Sequence, residues 1–165
     1  MLTILREVEI MLPRLLANAN DWNSVFVDYH LPFVERVWRQ WGEYRIMLHQ
    51  IYPCAPEEAL WHPHPWPSAM KIESGRYEMG IGFRSDSIPA HAGKHILAEG
   101  DTYEMVHPDG WHYVCPLDGP SMSLMVTGKP WNRVQPVTLA KTLRPLSEAQ
   151  KARILSFFCA RYVHG

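Results

Sequence analysis

No stretch of this 165-residue sequence is apolar for long enough to cross a bilayer. The N-terminal MLTILREVEIMLPRLL is interrupted by Arg6, Glu7, Glu9 and Arg14, so it also lacks the continuous apolar centre of a secretory signal. Cysteine is scarce: Cys54, Cys115 and Cys159 lie far apart and form no Cys-x-x-Cys pair. That count and spacing argue against a disulfide framework and a cysteine zinc site. An excess of charge of either sign is missing too, since 16 basic and 17 acidic side chains leave a net charge of −1. Such balance gives no electrostatic footprint for nucleic acid and no polybasic patch for a membrane surface. The expectation is a soluble, cytoplasmic protein with no nucleic acid and no membrane among its partners. With 47% apolar and 20% charged residues the chain can build a core. Its length suits one compact domain.

What the sequence does have is 9 His, 14 Pro and 7 Trp. Leu2, Leu5, Val8, Leu12, Leu15 and Leu16 recur at helical spacing, which predicts an amphipathic helix that Pro13 should kink or restart. A second helix is expected from Ser24 to Gln40, divided by Pro32 and stopped at Gly42, with Phe33, Val37, Trp38 and Trp41 on one face. From residue 43 onward the texture becomes short apolar runs separated by turn residues, the pattern of antiparallel strands. The expected strands are Arg45–Tyr52, Ala69–Ser74, Tyr77–Phe83, Lys94–Ala98, Thr102–Val106, Trp111–Cys115 and Ser121–Thr127. Ser147-Glu-Ala-Gln150 reads as a capping box that opens a C-terminal helix presenting Ala152, Leu155, Phe158, Cys159 and Tyr162. The expected organisation is a helical segment over 1–42 packed on a barrel over 43–135, then a helical segment over 136–165.

The chemistry concentrates in Trp61-His62-Pro63-His64-Pro65-Trp66-Pro67. On extended backbone, residues i and i+2 point the same way, so His62 and His64 can aim at one point. Pro63 and Pro65 stiffen that conformation. Neutral imidazole is a common ligand of iron, copper, nickel and zinc. The plain alternative is a rigid Pro-rich loop carrying two exposed imidazoles.

Further along come Ser68, Gly75, Gly100-Asp101 and Pro108-Asp109-Gly110-Trp111-His112. Together with His62-x-His64, this resembles the two motifs of the cupin superfamily over roughly residues 45–130. The resemblance implies a mainly β, jelly-roll barrel (a double-stranded β-helix), here with N-terminal helices and a C-terminal helix. It implies His62, His64 and His112 as metal ligands. Where the family has a Glu ligand this chain has Ser68, and its Gly110-Trp111-His112 is one residue tighter than usual. Both departures are similar to cysteine dioxygenase-like cupins, which bind ferrous iron through three His. Their Ser-x-His-x-Tyr relay is unmatched by Ser121-Met-Ser123-Leu-Met125, so cysteine is not the expected substrate.

Three neutral imidazoles would leave a divalent ion its full charge, which favours a small, anionic, chelating substrate and leaves positions open for it. Trp61, Trp66 and Trp111 would make the surroundings apolar. The leading expectation is therefore a non-haem Fe(II)-dependent dioxygenase. The alternatives are an isomerase, lyase or hydrolase using Zn, Mn or Ni, and a non-catalytic small-molecule-binding cupin. Candidate neighbours of the site are Ser68, His107, Glu78, Glu104, Gln50, Tyr52 and Trp66, with Arg84 as a possible partner for a substrate carboxylate. The flanking helices could pair two copies, and an isologous homodimer is the default form.

Overall fold

A computed structural model describes residues 1–90, 93–132 and 143–163. Helix α1 (Leu2–Leu16) runs through Pro13 as one element and buries Leu5, Val8, Leu12 and Leu16. The helix is uninterrupted at Pro13, and its four buried apolar residues lie on both sides of that turn or within it. The second expected helix is replaced by two strands, β1 (Asn23–Val27) and β2 (Val34–Trp41). Val25, Val27, Val34 and Val37 favour extended backbone. Gly42, read as a helix stop, has φ +57° and makes the tight turn into β3 (Tyr44–Ile51), where Trp41 pairs with Tyr44.

The remaining strands follow the expected pattern. They are β4 (His62–Pro63), β5 (Ser68–Ser74), β6 (Arg76–Phe83), β7 (Gly93–Ala98), β8 (Thr102–Met105), β9 (Gly110–Pro116) and β10 (Ser121–Thr127). They form a six-stranded sheet ordered β1-β2-β3-β10-β5-β8 and a four-stranded sheet ordered β4-β9-β6-β7. Every strand pair in both sheets is antiparallel. The boundary expected between 135 and 136 lies outside the described residues.

Helix α2 (Glu148–Tyr162) begins with the expected capping box on Ser147 and Gln150, and it buries Ile154, Leu155 and Phe158. Ala152, expected on the buried face, is exposed, which rotates the packed stripe toward Ile154. Both helices cover one face of the six-stranded sheet, where Val37, Ile46, Leu48, Ala69, Leu124 and Val126 meet them. The opposite face meets the four-stranded sheet through Val27, Val34, Ile51, Ile72, Tyr77, Met79 and Val114, with Met47, Met70 and Met125 beside them. Three layers result: helices, large sheet, small sheet. No described helix is long and apolar enough to cross a membrane.

Candidate metal centre

Strand β4 is only two residues long, yet its register sets the site. His62 lies opposite His112 and Pro63 opposite Trp111, so two imidazoles from distant parts of the sequence face each other across one antiparallel pair. His64, two residues on, joins them from the same side. Ring centroids are 4.6 Å apart for His62 and His112, 4.5 Å for His64 and His112, and 5.5 Å for His62 and His64. One ring nitrogen from each falls within 4.8 Å of the other two. Among the described residues this is the one such cluster of His, Cys, Asp or Glu.

The hydrogen bonds orient two of the rings. His62 Nδ1 lies 3.0 Å from the Leu60 carbonyl oxygen, which can only accept, so Nδ1 carries the proton and Nε2 keeps its lone pair. His64 Nδ1 lies 2.7 Å from Ser68 Oγ. The hydroxyl thus sits where the cupin pattern has a carboxylate, and it touches a ligand candidate rather than serving as one. His112 Nδ1 is buried without a partner among the described residues. Burial pushes the His62 imidazole down to about 4 and holds His64 and His112 well below the ordinary histidine value. All three are therefore neutral at pH 7, the protonation state a metal requires.

The donor set fits a metal ion. His62 Nε2 and His112 Nε2 are 3.1 Å apart, close to the roughly 3.0–3.4 Å expected of neighbouring nitrogens about 2.1 Å from one ion.

These rings line a cavity of about 280 Å³ between the sheets, whose walls include Arg36, His49, Trp66, Met70, Val114 and Met125. Arg36 was not anticipated from the sequence. It projects from β2 opposite His49 of β3, and its Nε donates to His49 Nε2 at 2.9 Å. An arginine Nε can only donate, so the neutral His49 ring carries its proton on Nδ1, which faces Ser123 Oγ at 3.4 Å. Nδ1 is then not free to take a proton from Ser123, and the pair is no serine nucleophile. Burial and the neighbouring Arg36 charge hold His49 well below its usual range. His30, which carried no expectation, also lines the cavity, with its ring 6.4 Å from that of His62.

Several expected neighbours lie elsewhere. On β3 His49 and Ile51 line the cavity and Met47 shares their face beside Met70 and Met125, so Gln50 falls on the helix side. There Gln50 accepts from Arg153, and Tyr52 donates to Glu35. Glu78 sits on the outer face of the small sheet, accepting from the Tyr113 hydroxyl and Lys94. Glu104 holds the N-terminal amine. His107 Nδ1 accepts from the backbone N–H of Asp109 and packs on Phe83. Arg84 is paired with exposed Asp86. Of the three tryptophans, only Trp66 lines the cavity, while Trp61 packs on Tyr113 and Trp111 donates to the Arg84 carbonyl. For the strand residues Gln50, Glu78 and Glu104, parity along the strand decides the face, and parity follows from register; Tyr52, Arg84 and His107 lie just beyond strand ends.

No family model and no curated protein matches the sequence. Solved structures do match the fold. Hydroxypropylphosphonic acid epoxidase from S. wedmorenis superposes with a TM-score of 0.54 at 13% identity, covering 67% of this chain and 56% of that one. Its Fe(II) form with the alternative substrate (S)-1-HPP gives 0.55 at 10% identity, covering 67% and 57%. The match spans little more than half of the epoxidase chains, and at this identity it is a likeness of fold. The architecture is a cupin-like β-sandwich with N- and C-terminal helices.

Proposed function

We propose that this protein is a metal-dependent oxygenase. In this reading His62, His64 and His112 hold one divalent ion, Fe(II) in preference to Zn, Mn or Ni, and the substrate is a small anionic chelating molecule. The observation that carries the reading is the convergence of three neutral imidazoles on one point in the wall of a cavity. Ferrous iron bound there would supply a Lewis acid and the electron that oxygen chemistry requires. The chain's own groups do the rest. The Leu60 carbonyl and Ser68 orient two ligand rings, Arg36 offers a cation to an anionic substrate, and Val114, Met70 and Met125 restrict water. Because no carboxylate joins the three histidines, the ion keeps its double charge. The Fe(II) form of the epoxidase, which shares the fold, favours iron by analogy alone.

The test is elemental analysis of anaerobically purified protein, followed by oxygen uptake with a panel of hydroxy, keto and mercapto acids. About one iron per chain and substrate-dependent oxygen consumption are expected, both lost in His112→Ala. Protein that retains no metal overturns the reading. Retained zinc with turnover independent of oxygen would replace it by metal-assisted isomerase, lyase or hydrolase chemistry.

A further inference from the structure

Charge in the cavity has one sign. Arg36 is held by His49, a neutral partner, and no ion pair involving it is found among the described residues. All 17 Asp and Glu residues of the chain are described, and none lines the cavity. Glu35, adjacent in sequence, lies on the other face of β2, where Arg153, Gln150 and Tyr52 engage it. Glu73 is held on the helix side by Arg161 and Tyr162. Glu78 and Glu104 are engaged outside the cavity as described.

A guanidinium stays protonated at neutral pH even when partly buried, and a low-dielectric surrounding strengthens its field. Most of the remaining wall is apolar, including Val27, Val34, Ile51 and Met70. At about 280 Å³ the cavity is near the lower limit of small-ligand pockets, about 300 Å³.

We propose that the cavity selects a small carboxylate with an apolar body and no cationic group, that Arg36 reads the carboxylate, and that the amino acid of the same shape is rejected. This rests on the metal reading above for one step. With the ligand nitrogens of His62, His64 and His112 taken up by an ion, an ammonium finds two cations and no carboxylate. It would lose its hydration without compensation. A carboxylate loses hydration too, but it gains charge-assisted hydrogen bonds from Arg36.

The experiment titrates three probes with the same branched apolar body into zinc-loaded protein and follows intrinsic tryptophan fluorescence and heat. 4-Methylpentanoate carries the anion alone, leucine adds the ammonium, and 3-methylbutylamine carries the ammonium alone. We expect 4-methylpentanoate to bind at least about tenfold more tightly than leucine, the effect of one charged hydrogen-bonding partner, and the amine not to bind. Arg36→Met should lose at least about tenfold in carboxylate affinity while zinc stoichiometry stays unchanged, and Arg36→Lys should recover part of it. Equal or tighter binding of leucine, failure of all three probes, or a folded Arg36→Met with full carboxylate affinity overturns the proposal. Should Arg36→Met not fold, the wild-type comparison decides alone. Should zinc not be retained, the same titrations on metal-free protein test Arg36 separately from the metal reading, which the elemental analysis decides.

Discussion

Ser68 shows how one hydroxyl can matter without being a ligand. Its Oγ lies 2.7 Å from His64 Nδ1, so it can accept that proton while Nε2 faces the cavity, the outer-shell contact that orients metal-binding histidines. Ser68→Ala should weaken metal affinity about 10–100-fold, measured by competition with a chromophoric chelator. An unchanged affinity would show that the ring is held by packing alone. His112 offers the contrast, because its Nδ1 lacks a partner among the described residues and its orientation comes from β9 and the neighbouring rings. Arg36 and His49 extend the same principle across strands. Each occupies an ordinary strand position, and only their pairing turns two separate residues into an anchored cation.

Between elements, one contact bears on the site and another on the fold around it. Gly80 of β6 lies beneath the Tyr113 ring, and an added Cβ would overlap that ring and come within 2.9 Å of Trp61. Trp61 immediately precedes His62, so Gly80→Ala should displace the start of β4. Overpacking of this kind costs about 1–3 kcal/mol. Chemical denaturation should show the loss together with lower metal occupancy, whereas a neutral effect would mean the ring relocates freely. On the opposite side, Glu73 of β5 is fully buried and joined to Arg161, Tyr162 and Lys71. This carboxylate fastens α2 and the large sheet together. Glu73→Ala should destabilise the fold by roughly 3 kcal/mol, the lower end for a broken buried pair, because Arg161 is partly exposed and keeps Glu99. Metal stoichiometry of the folded variant should be unchanged, since Glu73 faces away from the cavity.

For the folded chain as a whole, the buried histidines predict acid sensitivity. His62 is held to about 4, and His49, His64 and His112 are held well below their ordinary value by burial. In the unfolded chain all four titrate near 6.5. Between these limits the unfolded state binds protons that the folded state refuses, so stability rises with pH. Metal-free protein should have a level Tm above about pH 7 and lose stability as pH falls through 6.5 toward 4. A Tm that increases on acidification would contradict neutral, buried rings.

The sequence by itself determined most strands after residue 43, the capping box at Ser147 and the His62-x-His64 geometry. Each depends on local chemistry: turn residues, a cap and a period-2 backbone stiffened by proline. The motif resemblance added His112, and β4–β9 pairing brings that residue to the other two. That Asn23–Val27 and Val34–Trp41 are strands is decided by the packing of the tertiary structure, since Val34–Trp41 carries enough tryptophan and valine to satisfy either a helical or a strand pattern. The same structure decided that Arg36 and His49, rather than Gln50, Tyr52, Glu78 or Arg84, reach the cavity. A one-residue change of register exchanges the two faces of a strand, and register is set by pairing with strands far away in sequence. Among the described histidines, three converge, His49 holds the cavity's arginine, and His30 lines the same cavity.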